Sequence, residues 1–176
     1  MAWSWIRPGE ELLRLAQEPA YAPVVGAMRE AVDYWKAHFE DSPDHKPGWA
    51  HNYVCPRCAS QLVYDREKPL EHRCSGCGAL AENTPLVLEA WTYYRRYEIA
   101  QTLVDAAILY RMAGDPSDRD FVIRVIDYYA GHYAEFEEYG LYAGRGKVTG
   151  QSLCEAVWGD FLLKALIVLD FDGRSA

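Results

Sequence analysis

The sequence predicts a mainly α protein, built from antiparallel helical hairpins, with a small β-hairpin zinc ribbon inserted among them. Three observations carry that prediction. Apolar residues recur at three- and four-residue steps over most of the chain, two Cys-x-x-Cys pairs enclose a short strand-like stretch, and proline or glycine marks the breaks between segments. At 176 residues and 50% hydrophobic content the chain is long enough to bury a core.

A short helix is expected at "EELLRLAQ". From Tyr21 to Phe39, the residues Val25, Met28, Val32, Trp35 and Phe39 form one face of a second helix. "EDSPDHKPGWAHN" follows as a connector rich in proline and polar residues. The Cys-rich unit occupies about 51–80, with "QLVYD" and "LEHRC" as strands and "REKP" as the turn between them. A long helix then starts with Thr84 as N-cap and Pro85 at the first helical position, and Ala100, Leu103, Val104, Ala107 and Ile108 share a face. "AGDPSDRD" ends it, and Ser117 and Asp120 suggest a capping box for the next helix. That helix is expected to bury Val122, Val125, Ile126, Tyr129 and Tyr133, and the two together make a helical hairpin. "YGLYAGRGKVTGQS" reads as a glycine-rich loop, followed by a last helix marked by Trp158, Phe161, Leu162, Ala165, Leu166 and Leu169. The whole is read as one helical segment, 1–176, cut short after a helix whose apolar face has no later partner. Missing C-terminal domains or a homo-oligomer would cover that face.

A net charge of −8 with no evident basic cluster argues against nucleic acid. No signal peptide and no apolar run of membrane-spanning length is seen, so no membrane is expected and a cytoplasmic location is the default. Five cysteines, four of them in pairs, suit a reducing compartment in which thiolates bind metal.

Cys55-x-x-Cys58, fifteen residues, then Cys74-x-x-Cys77 has the spacing of a four-thiolate zinc ribbon. Four sulfurs complete a tetrahedron and leave no position for water, which makes such an ion structural rather than catalytic. Four ordinary thiols, or an iron–sulfur cluster, are the alternatives. His51 and His72 are close in sequence, yet the shell is already full, so they are read as outer residues of the hairpin. Within 55–77 the basic residues Arg57, Arg66, Lys68 and Arg73 are offset by Asp65, Glu67 and Glu71, which makes the hairpin a poor phosphate-binding surface.

"GRGK" at 144–147 fails the phosphate-loop pattern, because Val148 follows Lys147 and no strand precedes it. The loop still carries Arg145 and Lys147, with Gln151 and Ser152 at the next helix start, and these suit an anionic ligand such as a carboxylated sugar. A solvated connector with a helix cap is the plainer reading. His132 and Tyr133 are adjacent on a helix and diverge by about 100°, so core packing is expected for Tyr133 and exposure for His132. Cys154 reads as a packed thiol. Trp91 and Trp158 read as core, although an exposed tryptophan would be a platform for a sugar ring.

Taken in order, "WAHNYVCPRC", "HRCSGCG", "AWTYYRRYEIAQTLVDAAILYRMAGD", "IDYYAGHYAEF" and "GRGKVTGQSLCEAVW" resemble the N-terminal helical region of heparinase II/III-like polysaccharide lyases. The resemblance implies a partial (α/α) toroid, with β-sandwich domains following in full-length members. It also implies cleavage of uronate-containing polysaccharide by β-elimination, which needs a base, an acid and a group that neutralises the carboxylate. The family's catalytic residues lie mostly beyond the matched segment, so the resemblance assigns none here. It implies that Arg145, Gln151 and Trp158 line a substrate cleft, and Cys154 stands where an acidic residue is expected.

The sequence therefore predicts the helical segment of such a lyase, held by structural Zn2+ and binding an acidic polysaccharide or oligosaccharide without cleaving it alone. The alternative is a stand-alone helical zinc-ribbon adaptor that binds another protein.

Overall fold

Thr84 and Pro85 open the longest helix as expected. The proline lacks the N–H that would go unpaired at that position, and the Thr84 hydroxyl accepts from the N–H of Val87 at 3.4 Å. In the computed structural model, which describes residues 9–138 and 145–169, this helix is the third of five among the described residues. They are α1 (Gly9–Ala16), α2 (Ala22–His38), α3 (Pro85–Ala113), α4 (Pro116–His132) and α5 (Ser152–Val168). Between α2 and α3 lies a three-stranded antiparallel sheet of β1 (Leu62–Val63), β2 (His72–Cys74) and β3 (Leu80–Ala81), with β2 in the middle. The protein is mainly α with a small β ribbon, as the sequence predicts.

The residues fall into two compact units. One takes the described chain up to Glu40, Ile99–Gly131 and the described residues from Gly159 on; the other takes Asp41–Glu98 and His132–Trp158.

In the first unit the predicted faces go inward. Val32 and Trp35 of α2, Ile99, Ala100, Leu103, Ala106 and Ala107 of α3, and Phe121, Val122, Val125 and Tyr129 of α4 are all buried. Each large apolar side chain removed from water in this way contributes about 1.5–3 kcal/mol. Phe39 packs edge-on against Tyr128 at 5.5 Å between ring centroids. Asp118, fully buried on α4, receives both guanidinium nitrogens of Arg29 at 2.8 Å and Lys36 Nζ at 3.0 Å. The hydrogen bond to Asp118 raises the pKa of Arg29.

Helix α4 differs from expectation at both ends. Its cap is Asp115, whose Oδ1 accepts from the Ser117 N–H at 2.9 Å and the Ser117 hydroxyl at 2.8 Å, so no capping box forms from Ser117 and Asp120. Those bonds, the backbone one first, hold the Asp115 carboxyl below its ordinary pKa. At the far end the helix stops at His132, so Tyr133 lies beyond it and is 40% exposed rather than core.

In the second unit the ribbon rests on the start of α3. Tyr53, Cys55, Leu62 and Cys74 are buried in one cluster with Val87 and Ala90 of α3, and Tyr64, Ala81, Trp91 and Tyr94 pack around it. Polar bonds fix the contact, with the Tyr64 hydroxyl and Arg66 each donating to Glu98 at 2.9 Å and the Trp91 indole donating to the Asp65 carbonyl at 3.3 Å. Sheet register sorts the faces. Leu62 pairs with Cys74, and His72 with Ala81, on the inner side; Val63, Arg73 and Leu80 align across the outer side. The sequence supplied two of the three strands. Strand β3, like β1, is only two residues long, and its neighbours Gly78, Ala79 and Glu82 lack the aromatic and β-branched residues that mark β1 as a strand.

Candidate metal centre

Each Cys-x-x-Cys pair folds into the same turn. The Cys55 N–H donates to the Ser60 carbonyl at 2.8 Å, and the Cys55 carbonyl accepts from the Ala59 N–H at 2.9 Å. Nineteen positions later the Cys74 N–H donates to the Ala79 carbonyl at 2.8 Å, and its carbonyl accepts from the Gly78 N–H at 3.1 Å. The residue after each second cysteine must take a left-handed backbone, with φ of 57° at Ala59 and 70° at Gly78. Glycine meets that demand freely and alanine does not.

The two turns bring all four sulfurs together. Cys55, Cys58, Cys74 and Cys77 place their Sγ atoms within 4.8 Å of one another. Pairs form across the turns, with Cys55 to Cys77 at 3.7 Å and Cys58 to Cys74 at 3.4 Å. A tetrahedron with metal–sulfur bonds of about 2.3 Å has sulfur–sulfur edges of about 3.8 Å, so the cluster has the size of a four-thiolate metal site. Cys55 and Cys74 are buried, whereas Cys58 and Cys77 face solvent.

The local backbone favours thiolate. Hydrogen bonds from Ser60, side chain first and backbone second, bring the Cys58 thiol down to about 6. The N–H groups of Cys77 and Gly76 donate to Cys74 Sγ at 3.4 and 3.3 Å and lower its pKa as well. For Cys77 the Ala79 N–H pulls downward, yet the neighbouring sulfurs of Cys74 and Cys58 outweigh it and push the thiol up to about 11. Four sulfurs this close cannot all ionise without a cation among them, and a divalent ion removes that conflict.

His72 lies behind the site, fully buried on β2, with Nδ1 2.7 Å from the Tyr53 hydroxyl. Burial lowers its pKa, so the ring is neutral, and Nε2 is buried without a hydrogen-bond partner. His51 is exposed and meets the Trp49 ring at 4.6 Å. Neither imidazole belongs to the sulfur cluster.

The remaining predicted site residues scatter. Arg145 is exposed, with Glu138 at 4.0 Å. Gln151 is half-buried just before α5 and accepts weakly from the Cys154 thiol at 3.8 Å; burial raises the pKa of that thiol, as a packed cysteine requires. Trp158 is 5% exposed, so its ring is packed rather than displayed. Residues 139–144 of the glycine-rich loop, and the end of the chain after Leu169, lie outside the described residues. His132 is half-buried and bonds Glu135 at 2.9 Å, while the Tyr133 hydroxyl donates to Glu155 at 3.0 Å; the two neighbours serve separate partners.

Two polar knots escaped the sequence. Arg96 is fully buried and donates to both carboxylate oxygens of Asp41 at 2.8 and 3.0 Å, to the Ser42 carbonyl at 2.9 Å and to the Val148 carbonyl at 3.0 Å. Glu155 accepts from the N–H groups of Val148 and Thr149 at 3.1 and 2.7 Å and from the Thr149 hydroxyl at 3.0 Å. Between them these side chains hold Val148 and Thr149 in place. Cys154 itself takes no part in this knot, which Glu155, one position later, organises.

Among the described residues no helix is long and apolar enough to cross a membrane. Comparison with family models, with curated proteins and with solved structures gives no match for this chain.

Proposed function

We propose that the chain is a zinc-clasped helical module of a heparinase II/III-like polysaccharide lyase, arranged as part of an (α/α) toroid and serving to hold uronate-containing glycan. The observation that carries the clasp is the closed set of four sulfurs at tetrahedral spacing. Zinc suits an all-thiolate shell, and such a shell has no open position for water or substrate, so the ion contributes folding energy and not chemistry. Glycan binding rests on the ordered motif resemblance, supported by Arg145 and Lys147 on a loop that Arg96 and Glu155 hold in shape.

The test is titration of the full chain with oligomannuronate and oligogalacturonate while following the ultraviolet absorbance of unsaturated uronate. Saturable binding without absorbance gain is expected. Absence of binding overturns the glycan reading, and robust turnover places catalytic groups within this chain.

A second reading, a protein-binding adaptor, has one observation in its favour. Val63 and Leu80 stand 49% and 53% exposed on the outer face of the ribbon, flanking Arg73. A change of both to Asp that leaves glycan binding intact yet abolishes a defined dimer in light scattering would favour it.

A further inference from the structure

The four sulfurs of the ribbon divide unequally between solvent and interior. Cys55 and Cys74 are 3% and 2% exposed, whereas Cys58 and Cys77 are exposed residues. Two short contacts cross that boundary, because Cys58 meets Cys74 at 3.4 Å and Cys77 meets Cys55 at 3.7 Å. Each outer sulfur therefore has an inner one beside it, on the other turn of the ribbon. A Cβ on Gly76 would collide with the Ser60 hydroxyl and sit 3.6 Å from Cys58 Sγ, so the second turn passes Cys58 at a position that carries no side chain.

An accessible thiolate with a second sulfur beside it is the arrangement in which cysteine is oxidised reversibly. Metal coordination itself supplies the thiolate, because a thiol bound to a cation is deprotonated outright. The fifth cysteine has neither feature. Cys154 is half-buried beside Gln151 and Tyr93, and it stands apart from the sulfur cluster.

We infer that Cys58 is the oxidation site of a thiol–disulfide switch, in which a hydroperoxide joins Cys58 to Cys74 and so opens the metal clasp. This deepens the clasp reading above and rests on it. The Cys58 thiolate attacks the OH oxygen of the hydroperoxide: the S–O bond forms, the O–O bond breaks, and the leaving oxygen takes a proton and departs as water or an alcohol. The Cys74 thiolate then attacks the Cys58 sulfur. The S–S bond forms, the S–O bond breaks, and the hydroxide takes a proton and leaves as water. Two thiolates have lost two electrons in all, and the hydroperoxide has gained them. The site falls from four sulfur ligands to two, which no longer close a tetrahedron. The new bond still ties the two turns together across 16 positions of the chain, so the ribbon exchanges one cross-link for another. A reductant reverses both changes.

The test uses the full zinc-loaded chain, hydrogen peroxide in molar excess, a chromogenic chelator that reads released zinc, and peptide mapping after free thiols are alkylated. A parallel sample without peroxide gives the release caused by the chelator alone. Release above that level is expected, with Cys58–Cys74 as the first disulfide, and a phosphine reductant followed by fresh zinc should restore the loaded chain. Cys58 should lose its alkylable thiol about tenfold faster than Cys154 does. Cys154→Ser should release zinc at the wild-type rate, and loss of release in that variant would move the oxidation site to Cys154 and overturn the inference. Zinc retained in excess peroxide overturns the switch and spares the clasp. A first disulfide between any other pair, or oxidation of Cys58 to sulfinic acid without pairing, also overturns the switch alone. A chain that takes up no zinc overturns the clasp and the switch together.

Discussion

Seven of the fifteen residues Ile99–Ala113 are buried, and α4 answers with Phe121, Val122, Val125 and Tyr129. Over Tyr53–Ala81, by contrast, only Tyr53, Cys55, Leu62, His72 and Cys74 are buried, and two of those five are the inner cysteines. The helical stretch has an apolar interior that can offset the entropy of ordering it; the ribbon does not. A sheet whose strands are two or three residues long is too small to stand by itself, so its order comes from its seat on α3 and from whatever joins the four sulfurs. The difference teaches where the molecule would depend on a ligand: a metal held by the four sulfurs would make the ribbon's folding and its occupancy one equilibrium, which the helices do not need.

The largest effect follows from removing that ligand. Chelation, or Cys74→Ser, should abolish amide protection across 54–81 in hydrogen exchange, while amides of 103–109 and 121–129 keep theirs. Structural zinc at such sites contributes about 10–16 kcal/mol of apparent binding energy, far more than the ribbon's apolar contacts. Full protection of the ribbon in metal-free protein would erase the contrast.

Next come the two buried carboxylates. The side chains of Asp41 and Arg96 are both inaccessible, whereas Asp118 is paired with an Arg29 whose side chain is 34% exposed. Arg96→Met takes from the buried Asp41 carboxylate its two-point partner, leaving the Ser42 N–H at 2.8 Å and Arg95 and His45 at 3.5 Å, and should cost about 3–5 kcal/mol in urea denaturation. Arg29→Met leaves Asp118 with Lys36 at 3.0 Å and should cost about 1–2 kcal/mol. The double change Arg96→Met with Asp41→Leu should recover much of the first loss, because it removes the stranded charge as well. Equal costs at both sites would mean that exposure of the cation does not set the penalty.

A third, smaller effect separates the units by pH. Burial pushes the Asp105 carboxyl, on the half of α3 in the helical unit, up to about 6 from 3.8. The folded state therefore holds this proton after the unfolded chain has lost it. Stability from this group is complete below about pH 4, is lost as pH rises toward 6, and stays lost above. Asp105→Asn should flatten that slope and raise stability at pH 7 by about 1–2 kcal/mol, allowing for the residue's partial exposure. Thermal melts of both proteins at pH 4.5 and 7 measure it, and an unchanged difference between the two pH values would remove Asp105 from the account.

The limits of the sequence reading follow the same division. Helix faces were legible because period and burial are local: Val32, Trp35, Leu103, Val125 and Ala165 are where a 3.6-residue repeat puts them. The cysteine cluster was legible because each turn declares itself within four residues. What stayed hidden joins distant residues. Arg96 and Asp41 are 55 positions apart, and nothing in "YYRRYEIA" says which arginine turns inward. Gly48 and Gly150 mark a backbone contact that neither neighbourhood reveals. Tyr133 misled because periodicity continues one residue past the point where α4 stops.

The smallest effect lies within the ribbon and asks whether its two turns are equivalent. They share the two backbone bonds that close the turn, yet one places alanine at φ 57° where the other places glycine at φ 70°. An L-residue in that region carries a penalty of about 1 kcal/mol that glycine escapes, less the extra freedom glycine gives the unfolded chain. Ala59→Gly should therefore stabilise the metal-bound protein by about 0.5 kcal/mol, and Gly78→Ala should destabilise it by about 1 kcal/mol. A Cβ at Gly78 meets nothing within 4 Å, sulfur included, so the shift should read out as equal changes in folding and in apparent zinc affinity, measured by competition with a chromogenic chelator. A change in stability with no matching change in affinity would show that the ribbon can fold before it binds metal, and the contrast between the two units would then be one of degree.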